Sequence, residues 1–325
     1  MKRVLVAGAT GYVGTVLVGQ LLKLGKKVTG LDRSDPEEKI PFIKADLTDY
    51  KSLSDALKGK KFDTIMHIAS LPGDTGNPLE MVRVNVNGYQ NILEYARLAK
   101  VDRFIFASSI SAYQWYPATK FCSPDYMPVD EEHPCRPKDM YSTTKYIQEL
   151  LAMTYYHQYR LPVTILRLTA VVGPAGKGGG RSWREFAKSL SEGKKVQIPH
   201  FSAEEMCHYV DIRDVARMFI AAAEHPKAIG ETFNCVGPGA VRGYEFADIV
   251  KRLYPSIEVE YGFPWSMAQG EEICFSRNKA KELIGFEPMY SLEDTIKSIK
   301  DWIDSGGLEK TSTFKIGKFG NGVKK

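Results

Sequence analysis

KRVLVAGATGYVG, residues 2–14, joins a short apolar run to a turn rich in glycine. Residues 2–7 read as a buried strand, because the strands of a parallel sheet are covered on both faces. Gly8, Gly11 and Gly14 then separate this strand from a segment with helical periodicity. A strand, a glycine-rich turn and a helix in this order predict a site where backbone amides approach a dinucleotide pyrophosphate closely.

Apolar strand segments and amphipathic helical segments alternate after this turn. The strand segments are residues 26–31, 64–68, 103–107 and 163–168. The helical segments are residues 14–24, 51–57, 79–99 and 141–159. Strands separated by helices predict an α/β fold, a Rossmann-type doubly wound parallel sheet with a smaller C-terminal substrate-binding lobe.

An acidic residue, Asp32, closes the second predicted strand about twenty residues beyond the turn, where a carboxylate can accept hydrogen bonds from ribose hydroxyls. Its charge would repel a 2′-phosphate, so NAD is favoured over NADP, although Arg33 offsets part of that repulsion. Asp46 and Leu47 open a loop that either meets the adenine or forms a helix N-cap region. The cofactor residues predicted in this part of the chain are Gly8, Thr10, Gly11, Tyr12, Val13, Gly14, Asp32, Arg33, Asp46 and Leu47.

Tyr141 and Lys145 stand four residues apart in the segment YSTTK. This spacing places the phenol and the ammonium on one face of a helix. A nearby cation favours the phenolate, so we expect the pKa of Tyr141 to fall below its usual value of about 10. Ser109 follows the 103–107 strand at the edge that faces the ligand crevice, where its hydroxyl could bind the reacting oxygen; otherwise the serine marks a strand end turning into a loop.

The domain boundaries follow from a change of composition after residue 172, where a glycine-rich break spans residues 173–180. Asp211 reads as a helix N-cap with Asp214 in the first turn, and residues 232–236 read as a strand that returns to the sheet. The predicted units are an NAD-binding Rossmann domain (1–172 with 208–238), a substrate lobe (173–207 with 239–312) and a tail (313–325).

Composition excludes several classes of function. The 325 residues carry a formal charge of +5 without a long basic run, so nucleic-acid binding is not expected. Uninterrupted apolar stretches are too short to span a membrane. The five cysteines are dispersed without a Cys-x-x-Cys pair, which fits a reducing, cytoplasmic compartment and predicts no metal site.

Together these motifs resemble the extended short-chain dehydrogenase/reductases, the NAD-dependent epimerase/dehydratase family. The matching elements are Gly8, Gly11 and Gly14, Asp32, Asp46-Leu47, His67-Ile68-Ala69, Asn85-Val86-Asn87-Gly88, Ser109, Tyr141, Lys145 and Glu149, Leu166-Arg167, Gly173-Pro174 and residues 210–214. They occur in order over nearly the whole chain. The series is specific for the family and much less so for the substrate.

The resemblance implies a role for each matching residue. Tyr141 would be the general acid/base, and Lys145 would lower its pKa and hold the nicotinamide ribose. Ser109 would polarise the substrate oxygen, and Asn85 would support the hydrogen-bond network. Ile68, Ala69, Tyr141 and Lys145 would also line the cofactor, and members of the family commonly form homodimers through the tyrosine helix.

The sequence departs from the family pattern at two positions that bear on the substrate. Ala170 stands where an asparagine usually binds the substrate phosphates, and Cys207 stands where an arginine usually grips the diphosphate. Neither side chain can replace those contacts. The substrate is therefore either a smaller polyol, sugar acid or hydroxy acid, or a nucleotide sugar held from elsewhere. The candidate substrate-binding residues are Ser111, Trp115, Arg181 and Arg184.

The function expected from these residues is an NAD-dependent oxidoreductase or epimerase acting on a sugar-like secondary alcohol. The alternatives are a nucleotide-sugar 4-epimerase that retains NAD and a non-catalytic dinucleotide sensor. Dehydration is disfavoured because Ile110 follows Ser109 where a dehydratase needs a further acid/base pair. A sensor is disfavoured because Ser109, Tyr141 and Lys145 are all present.

Overall fold

A computed structural model describes residues 1–36, 39–73, 77–113, 123–174, 181–193, 195–198, 202–261 and 273–307. The strands in these ranges are β1 (Arg3–Ala7), β2 (Lys27–Asp32), β3 (Phe42–Lys44), β4 (Thr64–His67), β5 (Arg103–Ser109), β6 (Val163–Leu168), β7 (Ala170–Val172), β8 (Val196–Ile198), β9 (Met206–Cys207), β10 (Tyr209–Asp211), β11 (Thr232–Cys235), β12 (Val241–Arg242) and β13 (Val259–Tyr261). The helices are α1 (Tyr12–Lys23), α2 (Tyr50–Leu57), α3 (Pro78–Val82), α4 (Tyr89–Ala99), α5 (Met140–Tyr159), α6 (Arg181–Glu192), α7 (Ile212–Glu224), α8 (Gly243–Leu253), α9 (Asn278–Ile284) and α10 (Leu292–Asp304).

Seven of these strands form one parallel sheet in the order β3-β2-β1-β4-β5-β6-β11. The strand order reverses between β1 and β4, since β2 lies on the other side of β1. In open α/β sheets ligands bind beyond the carboxyl ends of the strands at such a switch point. The glycine-rich turn follows β1 at this place, so the α/β prediction is confirmed and the turn is correctly located.

The sheet is covered on both faces, as the apolar character of its strands predicts. Val4 and Val6 pack with helices α1 and α7 on one face, whereas Leu5 and Ala7 pack with α4 and α5 on the other. All four strand residues are fully buried. The alternation of side chains along β1 therefore divides the core into two layers, which is the doubly wound arrangement.

Short strands and helices from the C-terminal half form a smaller apolar core beside the sheet. Strands β7 and β10 pair in parallel, as do β8 and β13, while β9 and β12 are antiparallel. Helices α6, α8 and α10 pack here around Trp183, Phe186 and Phe246. The exact division of the chain into two domains and a tail remains a prediction, and the 313–325 tail lies outside the described residues.

One predicted helix is divided in the structure. The pattern over residues 79–99 predicted a single helix, but α3 ends at Val82 and a π-helical segment, Arg83–Gly88, precedes α4. Asp211 caps α7 as predicted, because its carboxylate accepts a hydrogen bond from the amide of Arg213. No helix in the described ranges is long and apolar enough to cross a membrane.

Candidate active site

The glycine-rich turn is built so tightly that larger residues do not fit. Gly8 has a φ of +91°, and a Cβ there would lie 2.6 Å from the amide nitrogen of Ala69. A Cβ on Gly14 would lie 2.0 Å from the carbonyl oxygen of Gly8. These contacts bring the turn after β1, the start of α1 and the end of β4 together. Because these positions carry no side chain, backbone amides are the groups that the turn can present to a ligand.

The N-terminus of α1 provides a place for an anion. Its N-cap, Gly11, has no side chain, and no side chain from the described part of the chain caps it. The first amides of a helix have no intrahelical acceptor and carry the positive end of the helix dipole. The residues therefore fit a dinucleotide, whose pyrophosphate would lie against the amides of Tyr12 and Val13.

Asp32 lies at the carboxyl end of β2, beside this helix terminus. One carboxylate oxygen accepts a hydrogen bond from the amide of Thr10 at 3.2 Å, and the other accepts from the amide of Arg33 at 2.7 Å. The side chain is partly exposed. The carboxylate is thus fixed by the same turn that would hold the pyrophosphate, and it retains acceptor capacity for ribose hydroxyls.

Other predicted cofactor residues contribute in different ways. The Tyr12 hydroxyl donates to the carbonyl of Gly173 at 3.0 Å, so its ring links α1 to the segment after β7, and burial raises its pKa. The Val13 side chain lies in the apolar core, which leaves its amide to face the turn. Ile68 and Ala69 both donate their amides to Ala7, which fixes the chain beyond β4 against the turn.

Asp46 and Leu47 are held locally. Asp46 accepts hydrogen bonds from the amide and hydroxyl of Thr48 at 2.9 and 2.8 Å. Burial raises the pKa of Asp46, but these bonds and the nearby arginines outweigh burial and the pKa is lowered. Leu47 is buried, and Asp49 is the N-cap of α2. The N-cap interpretation therefore applies three residues beyond Asp46, and contact of Asp46 with adenine stays a prediction.

Ser109, Tyr141 and Lys145 are brought together by β5 and α5. Asp139 caps α5 by accepting from the amide of Ser142 at 2.8 Å, which places Tyr141 in the first turn. Tyr141 and Ser109 are partly exposed, and the Ser109 side chain is near enough to the phenol to act on its pKa. Lys145 is buried, and its ammonium donates to the carbonyl of Ala107 at 2.8 Å.

The pKa values of this group differ from the sequence-based expectation. Burial raises the pKa of Tyr141 to about 12, although the Ser109 side chain acts in the opposite direction. The expected lowering by Lys145 is not observed; its ammonium lies 5.8 Å from the Tyr141 ring centroid. Burial lowers the pKa of Lys145 to about 7, with Glu149 acting against the shift. The charge of the lysine is therefore weakened by the same desolvation that keeps the phenol protonated.

Asn85 lies in the π-helical segment and is completely buried. Its amide nitrogen donates to the Thr144 hydroxyl at 3.1 Å, and its carbonyl oxygen accepts from the Leu71 amide at 2.8 Å. Thr144 directly precedes Lys145 in α5. Asn85 thus ties α5 to the loop after β4, and its supporting role in catalysis stays a prediction. π-helical turns often occur at functional sites.

A buried polar network below Ser109 is a feature whose contacts sequence reasoning missed. Ser108 donates to Glu149, which forms an ion pair with Arg167 at 2.7 Å. Arg167 also donates to the hydroxyl of Tyr113 at 2.7 Å, and that hydroxyl donates to Asn234 at 2.9 Å. The signal in the sequence was Glu149, four residues after Lys145 on the same helical face.

The candidate substrate residues are less completely defined. Ser111 is buried, and its hydroxyl has no hydrogen-bond partner among the described atoms. Arg184 lies in α6 and is partly buried. Trp115 and the side chain of Arg181 lie outside the described residues. The proposed substrate contacts of all four therefore stay predictions.

The two departures from the family pattern occupy apolar surroundings. Cys207 is buried in the core of the smaller lobe, where burial raises the pKa of its thiol. Ala170 begins β7 and packs at the edge of the same core. Neither residue offers a charge to a diphosphate. No group of three or more potential metal ligands occurs in the ranges that the structure describes.

Comparison with known proteins identifies the family of this chain. A family model described as the NAD dependent epimerase/dehydratase family matches residues 4–236. A UDP-glucuronate 4-epimerase of Thermodesulfobacterium geofontis is 26% identical over 92% of this chain and 95% of its own length.

Two solved structures are similar over most of their lengths. An epimerase from Methanothermobacter thermautotrophicus is 25% identical, with a TM-score of 0.83 over 97% of this chain and 96% of that chain. The UDP-glucuronic acid 4-epimerase from Bacillus cereus, in complex with UDP-glucuronic acid and NAD, is 25% identical, with a TM-score of 0.77 over 93% of this chain and 99% of that chain. The chain therefore belongs to the NAD-dependent epimerase/dehydratase family of extended short-chain dehydrogenase/reductases and is an enzyme of that family.

Proposed function

We propose that this enzyme oxidises and reduces a secondary alcohol of a sugar-like substrate, with Tyr141 as the general acid/base. The observation that carries the proposal is the grouping of Ser109, at the carboxyl end of β5, with Tyr141 and Lys145 of α5, both hydroxyl-bearing residues being partly exposed. A substrate oxygen within reach of both hydroxyls would be polarised by one and would exchange a proton with the other.

The cofactor supplies hydride acceptance and donation at its nicotinamide when bound, which is chemistry that side chains lack. We infer that the glycine turn, the open amides of α1 and Asp32 hold NAD with the nicotinamide toward Tyr141. Asp32 supports NAD over NADP, since a 2′-phosphate would meet its carboxylate. Lys145, buried beside the phenol, would position the nicotinamide ribose.

Tyr141 must be protonated to donate a proton to the substrate oxygen. To accept one, it must first form the phenolate, which needs stabilisation. Its pKa of about 12 keeps the phenol protonated near neutral pH. Formation of the phenolate would be stabilised by a hydrogen bond from Ser109 and by a protonated Lys145. The low pKa of Lys145 makes that help dependent on pH.

Epimerisation of a nucleotide sugar is favoured within this proposal by the relatives, because the similar proteins named above include UDP-glucuronate 4-epimerases. Ala170 and Cys207 support the opposing view, a smaller sugar acid or polyol, because they remove two diphosphate contacts. A nucleotide sugar would need cations from elsewhere, and Arg181 and Arg184 at the start of α6 are the candidates.

The test is mass spectrometry of the small molecules released when the purified enzyme is denatured. Near-stoichiometric NAD is expected for an epimerase, which returns the hydride to its substrate and gains from retaining the cofactor. A co-released nucleotide sugar would contradict the view that Ala170 and Cys207 exclude a diphosphate. An empty protein that reduces added NAD in the presence of a sugar acid would identify a dehydrogenase instead.

A further inference from the structure

A second concave surface lies at the amino ends of β5 and β6, at the opposite edge of the sheet from Ser109. Its volume is about 320 Å³, the lower end of the range for small-molecule sites. Arg97, Lys100, Arg103 and Arg160 line it, with Tyr159 on one wall. Four basic residues thus line one pocket.

Most of this positive charge is not neutralised by neighbouring carboxylates. Arg97 is paired with Glu94 at 2.6 Å. For Lys100, Arg103 and Arg160, no carboxylate of the described residues lies within ion-pair distance. Asp102 is the one acidic residue that lines the pocket, and it is exposed. Three unpaired cations against one carboxylate give the pocket an excess of positive charge.

Arg103 supplies a donor that lacks an acceptor. Its Nη1 donates to the carbonyl of Asp102 at 2.7 Å, while its Nε is buried without a hydrogen-bond partner among the described atoms. Buried donors are satisfied in most native structures, so an unsatisfied one indicates a missing partner. Arg103 lines the pocket, so an anion bound there would lie beside a guanidinium whose hydrogen-bonding capacity is incompletely used.

The backbone gives a further, independent indication. Lys100 and Arg160 are the C-caps of α4 and α5, with φ of 51° and 59°. In the described ranges they are the only non-glycine residues with positive φ. Glycine is the usual residue at such caps because a side chain is strained there. Two basic residues thus occupy strained positions on one pocket, a combination that favours a use for their side chains.

We propose that this pocket binds a small phosphorylated anion of about the size of pyrophosphate. Guanidinium and ammonium groups are the donors that proteins place around phosphate oxygens. The site is separate from the proposed catalytic site, because β5 begins at Arg103 and ends at Ser109. Its ligand would therefore bind whether or not the dinucleotide turn is filled.

The test is calorimetric titration of the full chain with inorganic pyrophosphate in saturating NAD, so that the turn at Gly8 is occupied. The variant Lys100→Gly/Arg160→Gly removes two cations and also removes the strained side chains. We expect it to weaken pyrophosphate binding by about tenfold or more, while its melting temperature stays equal or rises. Arg103→Gln should weaken binding without changing any backbone strain.

Lys58→Gly is the matched control, since Lys58 is an exposed C-cap of α2 with negative φ. Wild-type affinity in this control, with reduced affinity in the pocket variants, supports the site. Equal affinity in wild type and the double variant would overturn the proposal, because the cations would then serve only the helix ends. Absence of binding to wild type, or equal losses in the control, would also overturn it.

Discussion

Glu149 and Arg167 form an ion pair buried beneath the proposed catalytic serine, with their nearest atoms 2.7 Å apart and side chains 5% and 7% exposed. The pair joins α5 to β6. Because Ser108 donates to Glu149, the pair also fixes the carboxyl end of β5, where Ser109 faces the crevice. Two buried charges therefore hold the strand end that carries Ser109.

Removing one partner of this pair should lower the free energy of unfolding. Arg167→Met leaves the Glu149 carboxylate buried without its cation, and we expect a loss of about 3–5 kcal/mol in the free energy of unfolding. Urea denaturation measures it. Lys51→Met, which breaks an exposed pair with Asp55, should cause no measurable change. Equal effects of the two substitutions would show that the buried pair is not required for stability.

Replacing the proposed acid/base should separate catalysis from cofactor binding. Tyr141→Phe removes the phenolic proton and keeps the ring, so turnover should fall about 10²–10⁴-fold. The affinity for NAD, measured by the change in protein fluorescence, should remain within about threefold, equivalent to less than about 1 kcal/mol. NAD-dependent turnover that survives this substitution would show that another group transfers the proton.

The glycine turn gives a steric prediction. Gly14→Ala would place a Cβ 2.0 Å from the Gly8 carbonyl oxygen, so either the turn or α1 must move. Alanine ordinarily stabilises a helix relative to glycine. We nevertheless expect a lower melting temperature and loss of NAD binding in calorimetric titration. Gly239→Ala, where nothing lies within 4 Å of the added atom, is the control and should leave both measurements unchanged.

Sequence reasoning located the parts of the site that depend on local spacing. Residues 163–168 were predicted as a strand with the bounds that β6 has, because an apolar run between turns needs no distant information. The i,i+4 pair of Tyr141 and Lys145 and the glycine turn are equally local. Each of these features is encoded within a window of a few residues.

Features that depend on distant contacts were missed. The π-helical segment interrupts a helix that the periodicity predicted as continuous, and its residue Asn85 bonds through its side chain to the distant Leu71 and Thr144. The pKa of Tyr141 was predicted to fall because only the neighbouring Lys145 was visible. Burial, which comes from the whole fold, raises it instead. Desolvation is a property of the tertiary structure and cannot be read from a spacing.

The cofactor preference can be tested at Asp32. Asp32→Asn removes the negative charge while keeping the shape of the side chain, so a 2′-phosphate would no longer be repelled. We expect the ratio of NAD to NADP affinities to fall by about tenfold, equivalent to about 1.4 kcal/mol. Asp35→Asn is the control, because Asp35 is an exposed neighbour paired with Lys44. An unchanged ratio would mean that another residue selects the cofactor.

The buried lysine makes stability depend on pH in a defined direction. Burial lowers the pKa of Lys145 to about 7 in the folded protein, whereas an exposed lysine titrates near about 10.4. Between these values the unfolded chain binds more protons than the folded protein, so the free energy of unfolding rises with pH. Below about pH 7 both states are protonated, and the cost of burying the charge is fully present.

Lys145→Met does not bear the cost of burying this charge. The variant should therefore be more stable than wild type, and the difference should be largest below pH 7. The advantage should shrink steadily up to about pH 10. Urea denaturation of both proteins at intervals from pH 6 to pH 10 measures the difference, in which titrations that they share cancel. Lys58→Met, at an exposed lysine, should give a difference that does not change with pH. A difference for Lys145→Met that also does not change with pH would mean that the ammonium keeps an ordinary pKa. The conclusion that burial weakens the positive charge beside Tyr141 would then be wrong.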